Sequence, residues 1–331
     1  MNDRNSMKKE YKAVLFGNGT MGERHRKFFE YSGVRFLRIF DLDDLDSAGN
    51  VRTSLVDEFI SNEKIDFAVI ASPATTHYLY AKLCLERKIS VFVEKPLATL
   101  GEQAQELADL AIRNNVILFV AQSECFNPVF LNFRKHFMAE HGDVKNATRN
   151  FRDEVRLNEC AELNKCANSS FRLEFRREHK YSARCRDVNV ALDLLVHDLS
   201  LCLSMFHYDD LKVEKFTISK NEDRAQMQIS IVNGAHAGAE LDFIVDRNSD
   251  IDVRTISVEF ARGDGGPACD YSVSLAPHNE NGEVIHISDS LENEHKFFLK
   301  LMAGACSEWG RRAAQSAANA VKLATISTAS S

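Results

Sequence analysis

The sequence predicts an α/β protein: a doubly wound parallel sheet at the N-terminus, then an α+β domain with an open, mostly antiparallel sheet. Three observations predict it. Short apolar runs alternate with helical segments from residue 12 to about residue 122. Glycines at Gly17, Gly19 and Gly22 stand between the first run and the first helix. From Lys212 onward, strand-like runs follow one another across short turns with no helix between them. The expected domains are residues 1–122, binding a dinucleotide, and residues 123–331, holding substrate and oligomer contacts.

Ala13 to Phe16 is a continuous apolar run, as expected of a strand buried on both faces. In the G-x-G-x-x-G loop that follows, Gly17 allows a tight turn, Gly19 lets the backbone approach a pyrophosphate, and Gly22 lets the helix pack on the strand. The free N–H groups of the helix's first turn, at Thr20, Met21 and Gly22, then hold the phosphates. Val34 to Phe40 forms a second strand and ends in Asp41, about 20 residues past the loop, where a carboxylate bonds a ribose 2′-OH. This is a Rossmann pattern. Asp41 would repel a 2′-phosphate, so NAD is expected over NADP.

A helical stretch around Leu55 to Ile60 leads to a third strand, Ile65 to Ala71. It runs into Ser72-Pro73-Ala74-Thr75-Thr76-His77, a loop that should border the cofactor because ligands lie off the carboxyl ends of such strands. Tyr78 to Arg87 reads as a helix, and Ser90 to Val93 as a strand entering Glu94-Lys95-Pro96-Leu97. A lysine at that end, between an acid and a proline, makes Lys95 a candidate for chemistry; the alternative is a solvated lysine beside a turn. Helix Gly101 to Arg113 and strand Val116 to Ala121 complete the first domain.

Beyond it, Pro128 to Phe137 reads as helical, and the charged stretch from Asn150 to Asp187 contains a candidate strand, Phe171 to Arg176. Val188 to Phe206 is an apolar helix carrying Asp193, His197 and Asp198. Aspartates at its centre exclude a membrane span. Asp193 and His197, four residues apart, share one face, and Asp198 points elsewhere. A carboxylate and an imidazole together can keep the histidine ready to accept a proton, or they can form a satisfied core pair. Arg172, Arg176, Arg177, Lys180, Arg184 and Arg186 precede this helix, as a receptor for a diphosphate or as a solvated strand face. Val213 to Ser219, Gln226 to Val232, Ala239 to Val245 and Thr255 to Phe260 read as strands, and Leu291 to about Ala324 as helical.

Composition narrows the function. With a net charge of -7, the chain lacks the basic surface that nucleic-acid binding requires. Its 44% hydrophobic and 27% charged residues describe a globular protein with ample core. The polar start, Met1 to Tyr11, lacks the apolar core of a signal peptide, so a cytoplasmic location is expected. Eight scattered cysteines include no C-x-x-C pair; they read as reduced thiols, and no metal site is expected.

Gly17-x-Gly19-x-x-Gly22, Pro73 with His77, Glu94-Lys95-Pro96 and Asp193-x-x-x-His197 together resemble the glucose-fructose oxidoreductase and inositol dehydrogenase family (Gfo/Idh/MocA). Phe126-Asn127-Pro128 and Arg184-Cys185-Arg186-Asp187-Val188 look most like its UDP-N-acetylglucosamine 3-dehydrogenase group, although Cys125 stands where those relatives usually carry arginine. The resemblance implies a nicotinamide cofactor held by the glycine loop, Asp41, Ser72, Pro73, His77, Glu94 and Lys95. It implies a sugar or polyol substrate, a Lys95–Pro96 bond that is often cis, and oligomers, dimeric or tetrameric, built through the C-terminal sheet. In the mechanism it implies, His197 is the general base, Lys95 stabilises the reacting oxygen and Asp193 orients the sugar or His197, while Arg184 and Arg186 reach a substrate diphosphate. Dehydrogenation of a free sugar or inositol, glycoside cleavage using bound NAD, and a non-catalytic regulator of the same fold remain as alternatives.

Overall fold

The computed structural model describes residues 10–141, 171–182, 186–260, 269–276, 290–304 and 307–326. Arg184, Cys185, Cys160, Cys166, Cys306 and most of the charged stretch after residue 150 lie outside them. The chain divides into two compact units.

The first unit is built on β1 (Lys12–Phe16), β2 (Arg35–Phe40), β3 (Phe67–Ile70), β4 (Ser90–Glu94) and β5 (Leu118–Ala121). They form one parallel sheet in the order β2-β1-β3-β4-β5. α1 (Thr20–Tyr31), α2 (Thr53–Asn62), α3 (Ala74–Glu86) and α4 (Gly101–Asn114) connect successive strands, as parallel pairing demands. β3 and β5 are buried at every residue, and β1 and β4 at all but one, whereas edge strand β2 is mostly half-buried. This burial explains why the inner strands read as unbroken apolar runs.

In the second unit, α5 (Pro128–His141) precedes β6 (Phe171–Glu178). A π-helical segment, Ala191–Leu195, runs directly into α6 (Val196–Leu203). β7 (Leu211–Ile218), β8 (Arg224–Ile231), β9 (Glu240–Asp246), β10 (Val253–Phe260) and β11 (Cys269–Ser274) complete a six-stranded sheet, ordered β11-β10-β6-β9-β8-β7. All neighbours are antiparallel except β6 and β9. β6 alternates as a half-buried strand should, with Phe171, Leu173 and Phe175 inward. Strand β11 was not expected from the sequence, because it is short and follows a Gly-Gly-Pro stretch that reads as loop.

The last helices, α7 (Ser290–Met302) and α8 (Ser307–Ala324), correct the simple division at residue 122. Residues His295–Ala318 cluster with the first unit, while Thr99–Gly101 cluster with the second. Aromatic packing supplies the reason. Phe298 is fully buried, with ring centroids 5.0 Å from Phe67, 5.3 Å from Phe92, 5.5 Å from Phe119 and 5.9 Å from Phe29. Such edge-on arrangements are favourable beyond the area they bury.

Candidate active site

The glycine loop lies where the sequence places it. Gly17 has φ +86°, and a Cβ there would stand 2.5 Å from the Ser72 backbone, so only glycine allows the two loops to touch. At Gly22 a Cβ would meet the Gly17 carbonyl oxygen at 2.0 Å. A Cβ at Gly19, by contrast, meets nothing within 4 Å. Gly19 is also the N-cap of α1 and supplies no side-chain cap, so the first-turn N–H groups of Thr20, Met21 and Gly22 face an open cradle. Beside it, Asn18 Oδ1 is buried with no hydrogen-bond partner among the described residues. An open cradle of first-turn N–H donors fits a pyrophosphate.

Asp41 accepts the Asn18 N–H at 3.3 Å and the Leu42 N–H at 3.0 Å, which fixes its exposed carboxylate against the glycine loop. The nearby cation is committed elsewhere: Arg38 donates to Asp44 at 2.8 Å and lies 4.3 Å over the Phe40 ring.

The next two loops are tied together from behind. His77, 1% exposed, has Nε2 2.8 Å from the Ser72 carbonyl oxygen and Nδ1 2.7 Å from that of Pro96. Two carbonyl acceptors are both satisfied only by an imidazolium, which carries two N–H donors. His77 thus ties the Ser72 loop to the Pro96 loop. Ser72 Oγ and Thr76 Oγ1 are 2.7 Å apart, and Thr76 Oγ1 donates to the Pro73 carbonyl, closing the turn into α3. Lys95 is half-buried at the end of β4, its bond to Pro96 is cis, and its N–H donates to Glu94 Oε2 at 3.1 Å. The other Glu94 oxygen, Oε1, lies 2.8 Å from Nε2 of the buried His25.

In the second unit, Asn189 Oδ1 accepts the N–H groups of Ala191 and Leu192 at 3.0 and 3.2 Å, a side-chain cap that starts the helical segment. Among the described residues from Val190 to Cys202, His197 alone is not buried. Asp193 lies in the π-helical segment, an irregularity common at functional sites. Its Oδ2 is 3.5 Å from Nη1 of the buried Arg247, which also donates to the Val188 carbonyl at 2.8 Å and, through Nε, to Asp223 at 2.9 Å. Burial would raise the Asp223 carboxyl, but the hydrogen bonds of Arg247 and Arg186 hold it below its ordinary value. Arg186 pairs with Asp223, donates to the Ser182 carbonyl at 2.9 Å and stacks over Tyr181 at 4.5 Å. Its Nη2 is buried without a partner among the described residues. Asp198 points away from Asp193, to Arg177.

Among the described residues, Arg172, Arg176 and Arg177 do not gather into one receptor. Arg172 pairs with Asp242 and Arg176 lies beside Glu174 and Glu178, whereas Arg177 faces the opposite side of β6. There it donates to Asp198 at 2.8 Å and to Glu124 at 3.2 Å. Burial alone would lower the Arg177 guanidinium, but the two carboxylates raise it well above its usual value. Burial pushes the Cys125 thiol up to about 12, so it is neutral and unreactive at physiological pH. Arg247 and Asp223 were missed in the sequence, and Arg177 was grouped with its basic neighbours instead of with Asp198 and Glu124, because these partners lie elsewhere in the chain. The one available signal was an arginine at a core-facing position of β6.

The family described as an oxidoreductase family with an NAD-binding Rossmann fold, Gfo/Idh/MocA, matches residues 11–122. Over those residues the chain matches the NAD-binding domain of the Gfo/Idh/MocA oxidoreductases. Among Gfo/Idh/MocA relatives, the UDP-N-acetylglucosamine 3-dehydrogenase of Acidithiobacillus ferrooxidans is 22% identical over 221 residues, 64% of this chain. The match spans 60% of that relative's length. A crystal structure of the same enzyme superposes with a TM-score of 0.62 at 18% identity, covering 96% of this chain and 98% of that one. GenD2 from gentamicin A biosynthesis, solved with NAD, gives 0.65 at 18% identity over 98% and 95% of the two chains. The WlbA dehydrogenase of Thermus thermophilus, solved with NAD and UDP-GlcNAcA, gives 0.61 at 14% over 96% and 95%. At these identities the likeness is one of fold. Among the described residues, no helix is long and apolar enough to cross a membrane.

Proposed function

We propose that the protein is an NAD-dependent dehydrogenase that oxidises a ring hydroxyl, at C3, of a nucleotide-activated amino sugar such as UDP-N-acetylglucosamine. The observation that carries this reading is the open cradle at Gly19, set against Asp41, with Lys95 at the carboxyl end of a neighbouring region of the same sheet. NAD held by the glycine loop, Asp41, Ser72 and Pro73 would supply the hydride acceptor. His197 takes the hydroxyl proton, and the Lys95 ammonium donates to the same oxygen as its negative charge develops. Asp193, fixed by Arg247, orients His197 or the sugar.

The nucleotide part of the reading draws on two supports. Relatives of this fold include a UDP-N-acetylglucosamine 3-dehydrogenase and a dehydrogenase solved with UDP-GlcNAcA. The buried, unpartnered Nη2 of Arg186 is a donor suited to an anionic oxygen, with Arg184 close by in sequence. The free thiols of Cys84, Cys125 and Cys202 agree with a reducing compartment, and we place the reaction in the cytoplasm. Assembly through the C-terminal sheet completes the proposal.

The experiment follows NADH with UDP-N-acetylglucosamine, free N-acetylglucosamine and myo-inositol. The nucleotide sugar should be preferred, and Arg186→Ala should raise KM for it alone. Lys95→Met and His197→Ala should abolish turnover while NAD still binds, because their roles lie in the transition state. Equal or better turnover of the free polyols would replace this substrate with an inositol or free sugar.

A further inference from the structure

Behind Lys95, and wholly within the first unit, side chains from three elements form a buried hydrogen-bonded chain that the reaction above does not use. His25 of α1 places Nε2 2.8 Å from Glu94 Oε1 and Nδ1 2.7 Å from Nε2 of His295, on α7. Both imidazoles are 0% exposed. The other oxygen of Glu94 accepts the Lys95 N–H. The chain thus runs His295, His25, Glu94, Lys95.

The protons on this chain follow from what each group can donate. Glu94, when ionised, only accepts, so His25 Nε2 carries a proton. His25 Nδ1 then accepts from His295, or, with one further proton, an imidazolium at His25 donates to both neighbours. Either arrangement keeps Glu94 charged. Burial by itself would raise the Glu94 carboxyl; the His25 hydrogen bond, followed by the charges of His25, Lys95 and His77, brings it below 4.5. Those groups, His25 from α1, His77 from α3 and the adjacent Lys95, are the titratable ones that face Glu94, with His295 from α7 behind His25.

Packing alone would favour a different residue at position 295. The His295 ring stacks on Phe28 at 4.4 Å and on Phe92 at 5.3 Å, with Phe29 edge-on at 4.8 Å. A phenylalanine would suit this box, and burying a polar ring there is unfavourable unless it is hydrogen-bonded. We propose that His25 and His295 are positioning residues for Lys95: they hold Glu94 as a fixed carboxylate that anchors the lysine backbone and keeps a negative charge beside it. The inference rests on the role given to Lys95 above and extends it to α7.

The test compares His295→Phe, His295→Gln and His25→Phe with the wild type in the full chain. The first readout is hydrogen exchange at the Lys95 amide, measured by NMR without substrate. The amide should be protected in the wild type and should exchange at least about tenfold faster in His295→Phe. The second readout is kcat with UDP-N-acetylglucosamine and NAD. It should fall roughly tenfold to a hundredfold in His295→Phe, as expected for a reacting group set out of place, with its pH profile displaced and NAD affinity unchanged. His295→Gln keeps a donor at similar reach and should recover most of both. If His25→Phe fails to fold, the contrast between Phe and Gln at position 295 still decides. Unchanged Lys95 exchange, or a kcat and pH profile in His295→Phe equal to the wild type, overturns the proposal. Should the wild type turn over no nucleotide sugar, the substrate reading fails, and the exchange result alone upholds or sinks the positioning role.

Discussion

Two glycines in one loop do opposite jobs, and single methyl groups separate them. Gly19→Ala should fold normally, because nothing stands within 4 Å of the new Cβ, yet it should bind NAD about tenfold or more weakly, because the methyl enters the cradle. Gly22→Ala should lose roughly 1–3 kcal/mol of stability or more, because its Cβ would stand 2.0 Å from a backbone oxygen. Titration calorimetry with NAD and urea unfolding read the two effects separately. A second expectation concerns the cofactor's ribose: kcat/KM should be higher with NAD than with NADP, since Asp41 repels a 2′-phosphate and Arg38 is held by Asp44. These residues were legible because their chemistry depends on spacing within one strand-loop-helix unit. His25 was not, although it follows Gly22 by three positions on the buried face of α1 with Phe29, because its partners lie at residues 94 and 295.

Among elements, β6 shows how far periodicity reaches. Its alternation correctly sets Phe171, Leu173 and Phe175 inward, yet it says nothing of why Arg177 is 4% exposed. The answer is the pair of carboxylates it meets, Asp198 on α6 and Glu124, the latter also bonded by Arg254 at 3.1 Å. Arg177→Met should therefore cost about 3–5 kcal/mol, since it leaves buried charges uncompensated. Removing the exposed i,i+4 pair Arg26–Glu30 should change stability by no more than about 0.5 kcal/mol. Denaturant midpoints of Arg177→Met and Arg26→Ala test the contrast. The π-helical segment was equally hidden, because Ala-Leu-Asp-Leu-Leu has the composition of any apolar helix.

At the scale of the molecule, buried carboxylates set the acid limit. The folded pKa values of Glu94 and Glu124 both lie below 4.5, burial being outweighed by His25 in the first case and by Arg177 and Arg254 in the second. A depressed carboxylate gives stability that is fully present above the unfolded value and is lost as the pH falls through the lower, folded one. The contribution of these two carboxylates should thus be steady above pH 4.5 and fall below it, so the fall there should be shallower in Glu124→Gln. Urea titrations across that range measure it. The Rossmann pattern and the antiparallel sheet were readable from the sequence at this scale. The return of residues His295–Ala318 to the first unit was not, because an amphipathic helix carries no address for the surface it covers.

That return sets an order of events during synthesis. The cofactor-binding unit begins the chain, yet Phe298 and His295, which close its aromatic core, are translated after the whole of the second sheet. Domains commonly fold as they leave the ribosome, N-terminal first. Here the first sheet must wait until residues His295–Ala318 emerge, and the second unit, which also takes the residues from Asn319 onward, is completed last. A nascent chain stalled before residue 295 should remain protease-sensitive around Phe29 and Phe92 and should not retain NAD, whereas release of the complete protein should confer both at once.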